Sequence, residues 1–203
     1  MVKLVVSVLA GLALLLSGSL ADYSPPPDYG IVARVSNGAS RGDWGSEDRC
    51  PKGTFATGFR TKMESYQGPT VDDSALNGIR LLCTRGLSGD GQEAYAVESE
   101  SGQWGEWSEA AWCPPGGRLE SFALRVEEER GSPQDRMGAT GVRFFCSGGE
   151  VLQGPDLGFG EYGTPSAHCP KGFCGIQTRV ESPQGVFRDD SALTDAQMLC
   201  CTR

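Results

Sequence analysis

Alternation of apolar and polar residues recurs along the chain and predicts paired β-strands. In the first strand of each pair the apolar or small positions are Phe55, Thr57, Phe59 and Met63, then Phe122, Leu124 and Val126, then Ile176, Thr178 and Val180. The second strands carry Ile79-Leu81-Cys83, Val142-Phe144-Cys146 and Ala196-Met198-Cys200. The residues between these positions are largely Arg, Gln and Glu. Because successive side chains of a strand point to opposite faces, each pair should bury one face and leave the other to solvent.

Cysteine spacing indicates that the chain is a threefold repeat. The three outer pairs are Cys50 with Cys83, Cys113 with Cys146, and Cys169 with Cys200, at separations of 33, 33 and 31 residues. Each first cysteine begins a Cys-Pro-x-Gly segment. We therefore predict one all-β domain at 31–203, with repeats at about 31–90, 91–150 and 151–203. One repeat is too short to bury its apolar face alone, so three sheets should share a core around a common axis.

All eight cysteines lie beyond the first strand and are expected to form four disulfides. Antiparallel pairing within a repeat would bring the ends of its two strands together, which joins Cys50 to Cys83 and Cys113 to Cys146. By analogy Cys169 pairs with Cys200, which leaves Cys174 for Cys201. Exchange of partners between the adjacent Cys200 and Cys201 stays open, because neighbouring strand residues face opposite sides.

The amino-terminal segment reads as a secretory leader. Residues 1–21 combine Lys3, an uncharged apolar run over Leu4 to Leu16, and small residues before Asp22. This run is too short for a membrane span. We expect a secreted, extracellular protein that does not insert into membranes, with residues 22–30 forming an extended arm and Ile31 to Val35 the first strand.

Charge and composition narrow the functional classes. The chain has 26 acidic and 18 basic residues, for a formal net charge of −8, which argues against nucleic acid as a partner. His168 is the single histidine, and we expect it to lie in an exposed loop. Zinc sites and histidine-based triads usually need more imidazole than this. We therefore predict no catalytic residues, no metal and no cofactor.

Three small-acidic-aromatic turns are the candidate sites. Their acidic and aromatic residues are Asp43 and Trp44, Glu106 and Trp107, and Glu161 and Tyr162, with an additional Trp104 in the middle repeat. Our favoured interpretation is that each aromatic ring closes one end of the core. The alternative is a sugar-binding rim, in which rings stack on pyranose faces and carboxylates accept hydroxyl hydrogen bonds.

Two acidic pairs also recur before the second strands. Asp72-Asp73 and Asp189-Asp190 lack the alternating acids and closing glutamate of a calcium loop. We therefore expect them to close turns rather than to bind calcium.

Together these motifs resemble the vitelline membrane outer layer protein 1 family. The residues that carry the resemblance are Gly105-Glu106-Trp107-Ser108, Asp72-Asp73-Ser74-Ala75-Leu76-Asn77, Cys169-Pro170-Lys171-Gly172 with Cys174, and Cys200-Cys201. The resemblance implies a β-prism of the first type, with three Greek-key four-stranded sheets around a pseudo-threefold axis. It also implies a structural protein, expected to be a monomer, associated with an extracellular glycoprotein or polysaccharide matrix. The alternative is a glycan-acting enzyme, a weak chitooligosaccharide transferase or hydrolase, although no motif assigns a catalytic acid to a numbered residue.

Overall fold

The computed structural model describes residues 29–64, 76–86, 95–127, 138–182 and 193–202. Within these ranges the chain forms β-strands joined by turns. The strands are β1 (Tyr29–Arg34), β2 (Asp43–Trp44), β3 (Asp48–Arg49), β4 (Phe55–Met63), β5 (Leu76–Thr84), β6 (Tyr95–Glu98), β7 (Glu106–Trp107), β8 (Ala111–Trp112), β9 (Leu119–Val126), β10 (Ala139–Cys146), β11 (Val151–Gln153), β12 (Glu161–Tyr162), β13 (Phe173–Val180) and β14 (Leu193–Cys201).

The strands form three antiparallel sheets, each built around one long pair. Sheet I has the order β6-β5-β4-β7, sheet II β11-β10-β9-β12, and sheet III β1-β14-β13-β2. The short strands β8 and β3 also pair with β4 and β13. In sheets I and II the fourth strand returns beside the first, which is the Greek-key order. The fold is therefore the expected β-prism, with three Greek-key sheets around one core.

Sheet III closes the prism with strands from both ends of the described chain. Val32 of β1 pairs with Leu199 of β14, and Trp44 of β2 pairs with Arg179 of β13. The first strand thus completes the sheet of the last repeat, so that the sheets are not three consecutive sequence segments. β1 also begins at Tyr29, two residues earlier than expected and inside the predicted arm, because its backbone pairs with the end of β14.

The predicted inward faces form the shared core. Phe59 of sheet I, Phe122 and Phe144 of sheet II, and Phe173 of sheet III are each fully buried. The ring centroids of Phe59 and Phe144 are 4.6 Å apart, and those of Phe122 and Phe173 are 6.2 Å apart. These four rings therefore join all three sheets at the centre of the molecule.

The outward faces are less solvated than the sequence pattern predicts. Leu82 and Ala123 point away from the core yet are buried. At Gly58, which pairs with Leu82, a Cβ atom would lie 2.5 Å from Cε3 of Trp112. The Trp112 indole therefore covers part of the outer face of sheet I, so the expectation of a fully solvated face was wrong.

The disulfides tie neighbouring sheets together. The pairs are Cys50–Cys83, Cys113–Cys146, Cys169–Cys200 and Cys174–Cys201, as the repeat predicts. The amide of Cys113 donates to the carbonyl of Thr57 in sheet I, whereas Cys146 belongs to β10 of sheet II. Cys50 and Cys169 likewise bond to the sheet preceding that of their partner. Three of the disulfides thus cross from one sheet to the next.

Several predicted features lie outside the described residues, namely the leader 1–21, the Asp72-Asp73 pair and the Asp189-Asp190 pair. In the part of the chain that the structure describes, there is no helix long and apolar enough to cross a membrane. The same ranges contain no cluster of three or more His, Cys, Asp or Glu residues placed to hold a metal ion.

Candidate functional site

A glycine with positive φ begins each small-acidic-aromatic turn. Gly42, Gly105 and Gly160 have φ values of 80°, 87° and 74°. A Cβ atom at these positions would lie 2.4, 2.3 and 2.3 Å from the carbonyl oxygens of Val180, Met63 and Val126, respectively. Only glycine allows both this backbone conformation and this close approach. The three glycines therefore hold the following acidic-aromatic pair against the edge of a sheet.

The aromatic rings of these turns lie on the outer faces of the sheets, so the prediction that they close an end of the core was wrong. Trp44 pairs with Arg179, Trp107 with Lys62, and Tyr162 with Arg125. Directly opposed residues of an antiparallel pair project to the same face, and these basic residues alternate with core residues. The sequence pattern did not reveal this register.

Each ring stacks on a guanidinium group of its own sheet. Arg80 lies 3.9 Å from the centroid of Trp107, Arg143 lies 4.3 Å from that of Tyr162, and Arg179 lies 5.1 Å from that of Trp44. Such cation–π contacts stabilise by about 0.5–1 kcal/mol at exposed sites. The three rings therefore serve first to hold short edge strands onto the long central ones.

In sheets I and II a carboxylate forms an ion pair with an arginine near the aromatic ring. Glu98 bonds Arg80 at 2.5 Å, and Asp156 bonds Arg125 at 3.0 Å. Asp156 also accepts a 3.3 Å hydrogen bond from the Tyr162 hydroxyl. Burial of this hydroxyl, reinforced by the Asp156 charge, raises the pKa of Tyr162 to about 12. The phenol is therefore a neutral hydrogen-bond donor at physiological pH.

A groove of about 260 Å³ opens between sheets I and III. Asp43 and Trp44 come from β2, Glu100 and Trp104 come from the connection between β6 and β7, and Glu181 follows β13. The remaining lining residues, which are small, apolar or uncharged, are Gly45, Asn77, Ser101, Gly102, Gln103, Val180 and Ser182. The groove lies at the end of the prism opposite the disulfides, where β13 ends and β5 begins.

Hydrogen bonds fix the wall of the groove formed by 100–104. The Thr178 hydroxyl donates to the carbonyl of Glu100, and the Lys62 ammonium donates to the carbonyls of Gly102 and Gln103 at 2.9 and 3.1 Å. Ser99, which precedes this wall, donates its hydroxyl hydrogen bond to the carbonyl of Ser46, which follows the lining residue Gly45, at 2.7 Å. The groove is therefore formed before any ligand arrives.

The structure separates the six residues proposed for sugar contact. Asp43 and Trp44 line the groove, whereas Glu106 and Trp107, on sheet I, and Glu161 and Tyr162, on sheet II, are not among its lining residues. Trp104 replaces them there and is 51% exposed. Its presence as an additional tryptophan was visible in the sequence, but its position in the same groove as Trp44 was not.

His168 is exposed, as expected, and its Nε2 atom lies 2.5 Å from a carboxylate oxygen of the buried Glu120. Ser166 is buried, and its hydroxyl lies 3.3 Å from that of Ser121. No described contact joins His168 to Ser166. The pair is therefore not arranged as a base and its nucleophile.

The groove combines aromatic surface with carboxylates, which is the chemistry that suits a saccharide. An exposed indole offers an apolar face on which the C–H face of a sugar ring can stack. Asp43 and Glu100 are exposed beside it and accept hydrogen bonds from hydroxyl groups. Pockets with an aromatic wall and a few polar groups are typical small-ligand sites.

Sequence comparison places the chain close to characterised relatives. The family model described as vitelline membrane outer layer protein I matches residues 31–203. The mouse (Mus musculus) vitelline membrane outer layer protein 1 homolog is 50% identical over 175 residues, which are 86% of this chain and 85% of the mouse protein. The human (Homo sapiens) homolog is 50% identical over 174 residues, 85% of this chain and 84% of the human protein.

Several solved structures superpose on the chain at low sequence identity. Single-chain recombinant jacalin superposes with a TM-score of 0.53 at 10% identity, over 89% of this chain and 99% of that chain. A complex of artocarpin with mannopentose gives 0.52 at 11% identity, over 85% and 97% of the two chains. Calystegia sepium agglutinin gives 0.52 at 11% identity, over 84% and 95%. At this level of identity the likeness establishes the β-prism fold alone.

Proposed function

The chain belongs to the vitelline membrane outer layer protein I family, and from that premise we propose that it is a secreted structural protein that binds the glycans of an extracellular matrix without converting them. The family and the β-prism fold fit a structural protein that binds glycans. The matrix partner would be a glycoprotein or a polysaccharide. The observation that carries the proposal is the groove between sheets I and III, where Trp44 and Trp104 stand beside exposed carboxylates.

The groove supports binding because its recognition groups are already in place. Trp104 is half exposed and Trp44 is braced from one side by Arg179. A ligand that stacks on these rings does not have to order a flexible wall, which lowers the entropic cost of binding. Artocarpin, a protein of the same fold, was crystallised with mannopentose, which makes a saccharide a reasonable class of ligand to test first.

Secretion is supported by the leader-like sequence at 1–21 and by the four disulfides. Expression of the full chain in animal cells should release a protein whose amino terminus is Asp22. Protein retained in the cytosol with Met1 intact would contradict this part of the proposal.

Replacement of the exposed indole tests the groove directly. Trp104→Ala should weaken binding of an N-acetylglucosamine tetramer about three- to tenfold, because one stacking contact of about 0.5–1.5 kcal/mol is removed. Isothermal titration calorimetry measures the affinity. Phe159→Ala is the matched control, since Phe159 is also exposed but does not line the groove. Equal losses in the two variants, or no binding by the unmodified protein to any saccharide tested, would refute the assignment.

The same samples separate binding from catalysis. After prolonged incubation, mass spectrometry of the tetramer should show unchanged saccharide. Shorter or longer oligosaccharides whose appearance stops in Glu100→Gln or Asp43→Asn would instead identify a hydrolase or a transferase, since these enzymes rely on carboxyl groups.

A further inference from the structure

We propose that the groove prefers saccharides that carry positively charged amino groups, such as oligomers of glucosamine, over neutral or anionic saccharides. This inference rests on the proposed glycan-binding function and specifies its ligand class. It follows from the distribution of charge around the two tryptophans rather than from the fold.

Every charged side chain among the described residues that line the groove is acidic. Asp43 of sheet III and Glu100 of sheet I are exposed, and Glu181, which also lines the groove, is largely buried. Lysine, arginine and histidine are missing from this lining. An ammonium group that enters the groove therefore meets attractive charges, whereas a sulfate or carboxylate group meets like charges on both walls.

Two described basic residues on strands next to the groove, Lys62 of β4 and Arg179 of β13, already have other partners. Lys62 donates to the carbonyls of Gly102 and Gln103 behind the wall of the groove. Arg179 stacks on Trp44 and donates to the carbonyl of Ala39 at 3.4 Å. Neither side chain lines the groove, so neither supplies a site for an anionic saccharide.

The tryptophans strengthen the preference for a cation. An ammonium group over an indole face is attracted by the ring electrons, and tryptophan is the best of the aromatic residues for this contact. Trp104 presents half of its surface to solvent. A glucosamine unit stacked there can contact the ring and place its amine toward Asp43 or Glu100. An acetylated amine carries no charge and is not attracted by these carboxylates.

Because the carboxylates are exposed, the expected preference is moderate. Exposed ion pairs are weak, so two of them should favour the glucosamine tetramer over its N-acetylated form by about two- to thirtyfold. High salt should reduce the preference, because the Debye length falls to about 3 Å at 1 M ionic strength.

The test compares three tetrasaccharides by calorimetry: glucosamine, N-acetylglucosamine and galacturonic acid. Measurements at mildly acidic pH keep the amines of glucosamine protonated. We expect affinity to fall in the order given, and the first difference to shrink at high salt.

A charge-neutral variant identifies the residues responsible. Asp43→Asn with Glu100→Gln should make the affinities for the glucosamine and N-acetylglucosamine tetramers equal, because both charges are removed at nearly unchanged side-chain size. The control, Glu109→Gln with Glu150→Gln, changes total charge equally at exposed positions outside the groove and should keep the preference.

The outcomes distinguish this inference from the function beneath it. If the neutral tetramer binds as tightly as glucosamine, or if the double variant keeps the preference, the inference is wrong and the glycan-binding function stands. If no tetramer binds, both are overturned.

Discussion

Substitution of Gly105 by alanine tests how the aromatic turns are held in place. Gly105 has a φ of 87°, and an added Cβ atom would lie 2.3 Å from the carbonyl oxygen of Met63. That oxygen belongs to the backbone of β4 and cannot turn aside as a side chain would. The variant must therefore move β7 away from β4 and weaken the contact between Trp107 and Arg80.

The expected cost has two parts that can be separated. A left-handed backbone costs a residue with a Cβ atom about 1–2 kcal/mol. Displacement of β7 should add about 2–3 kcal/mol, a typical penalty for forcing atoms into occupied space. The total of about 3–5 kcal/mol corresponds to a fall in Tm of roughly 10 °C for a protein of this size.

Gly116 supplies the matched control. Its φ is 80°, yet an added Cβ atom would meet nothing within 4 Å. Gly116→Ala should therefore show the conformational penalty alone, about 1–2 kcal/mol, or roughly 4 °C. Thermal and urea unfolding with the disulfides intact measure both variants. Equal destabilisation of the two would refute the role assigned to the close approach, and a mild effect at Gly105 alone would refute the placement of β7.

Two further predictions concern contacts around the aromatic turns, and a third concerns the Cys113–Cys146 disulfide. Trp107→Ala should lower the free energy of unfolding by about 2–3 kcal/mol, because a largely buried ring and its cation–π contact are lost. Urea unfolding measures this free energy. A change below about 0.5 kcal/mol would mean that the ring is merely a surface group. Because the Tyr162 pKa is raised to about 12, the stabilising contribution of Tyr162 is complete below about pH 10 and is lost as the pH rises toward 12. Tyr162→Phe should therefore flatten the fall of Tm over this pH range. An unchanged dependence of Tm on pH would contradict this prediction. Replacement of Cys113 and Cys146 together by alanine should cost about 3–4 kcal/mol through the lost restriction of the unfolded chain, while peptide mapping of the unreduced protein should recover the remaining three pairs unchanged.

The sequence predicted the features that depend on local periodicity. Phe122, Leu124 and Ile176 were assigned to the core and are fully buried. This was possible because strand geometry places alternate residues on opposite faces wherever the chain lies. The Cys50–Cys83 and Cys113–Cys146 pairs were predictable for a related reason, since the repeat supplies the same spacing twice, whereas exchange of partners between Cys200 and Cys201 stayed open from the sequence.

Features that depend on contacts between distant segments could not be predicted. Val32 lies beside Leu199 in the closing sheet, a pairing that joins the two ends of the described chain. Placement of the aromatic rings failed for the same reason: the register of Trp44 against Arg179 depends on how β2 docks on β13. The presence of Trp44 and Trp104 in one groove likewise requires two sheets to be in place.

The groove between sheets I and III depends on a position that differs between sheet junctions. Gly45, Ser108 and Gly163 occupy equivalent positions, since their amides donate to the carbonyls of Thr178, Thr61 and Leu124. Beside Gly163, the side chain of Asn37 fills the space and donates to the Leu124 carbonyl at 3.0 Å. Beside Gly45 the corresponding neighbour is Glu100, which is exposed and whose chain continues to Trp104. The backbone contacts that repeat three times therefore hold the prism together, whereas the residue that differs beside Gly45 leaves room for the groove in which we propose that a glycan binds.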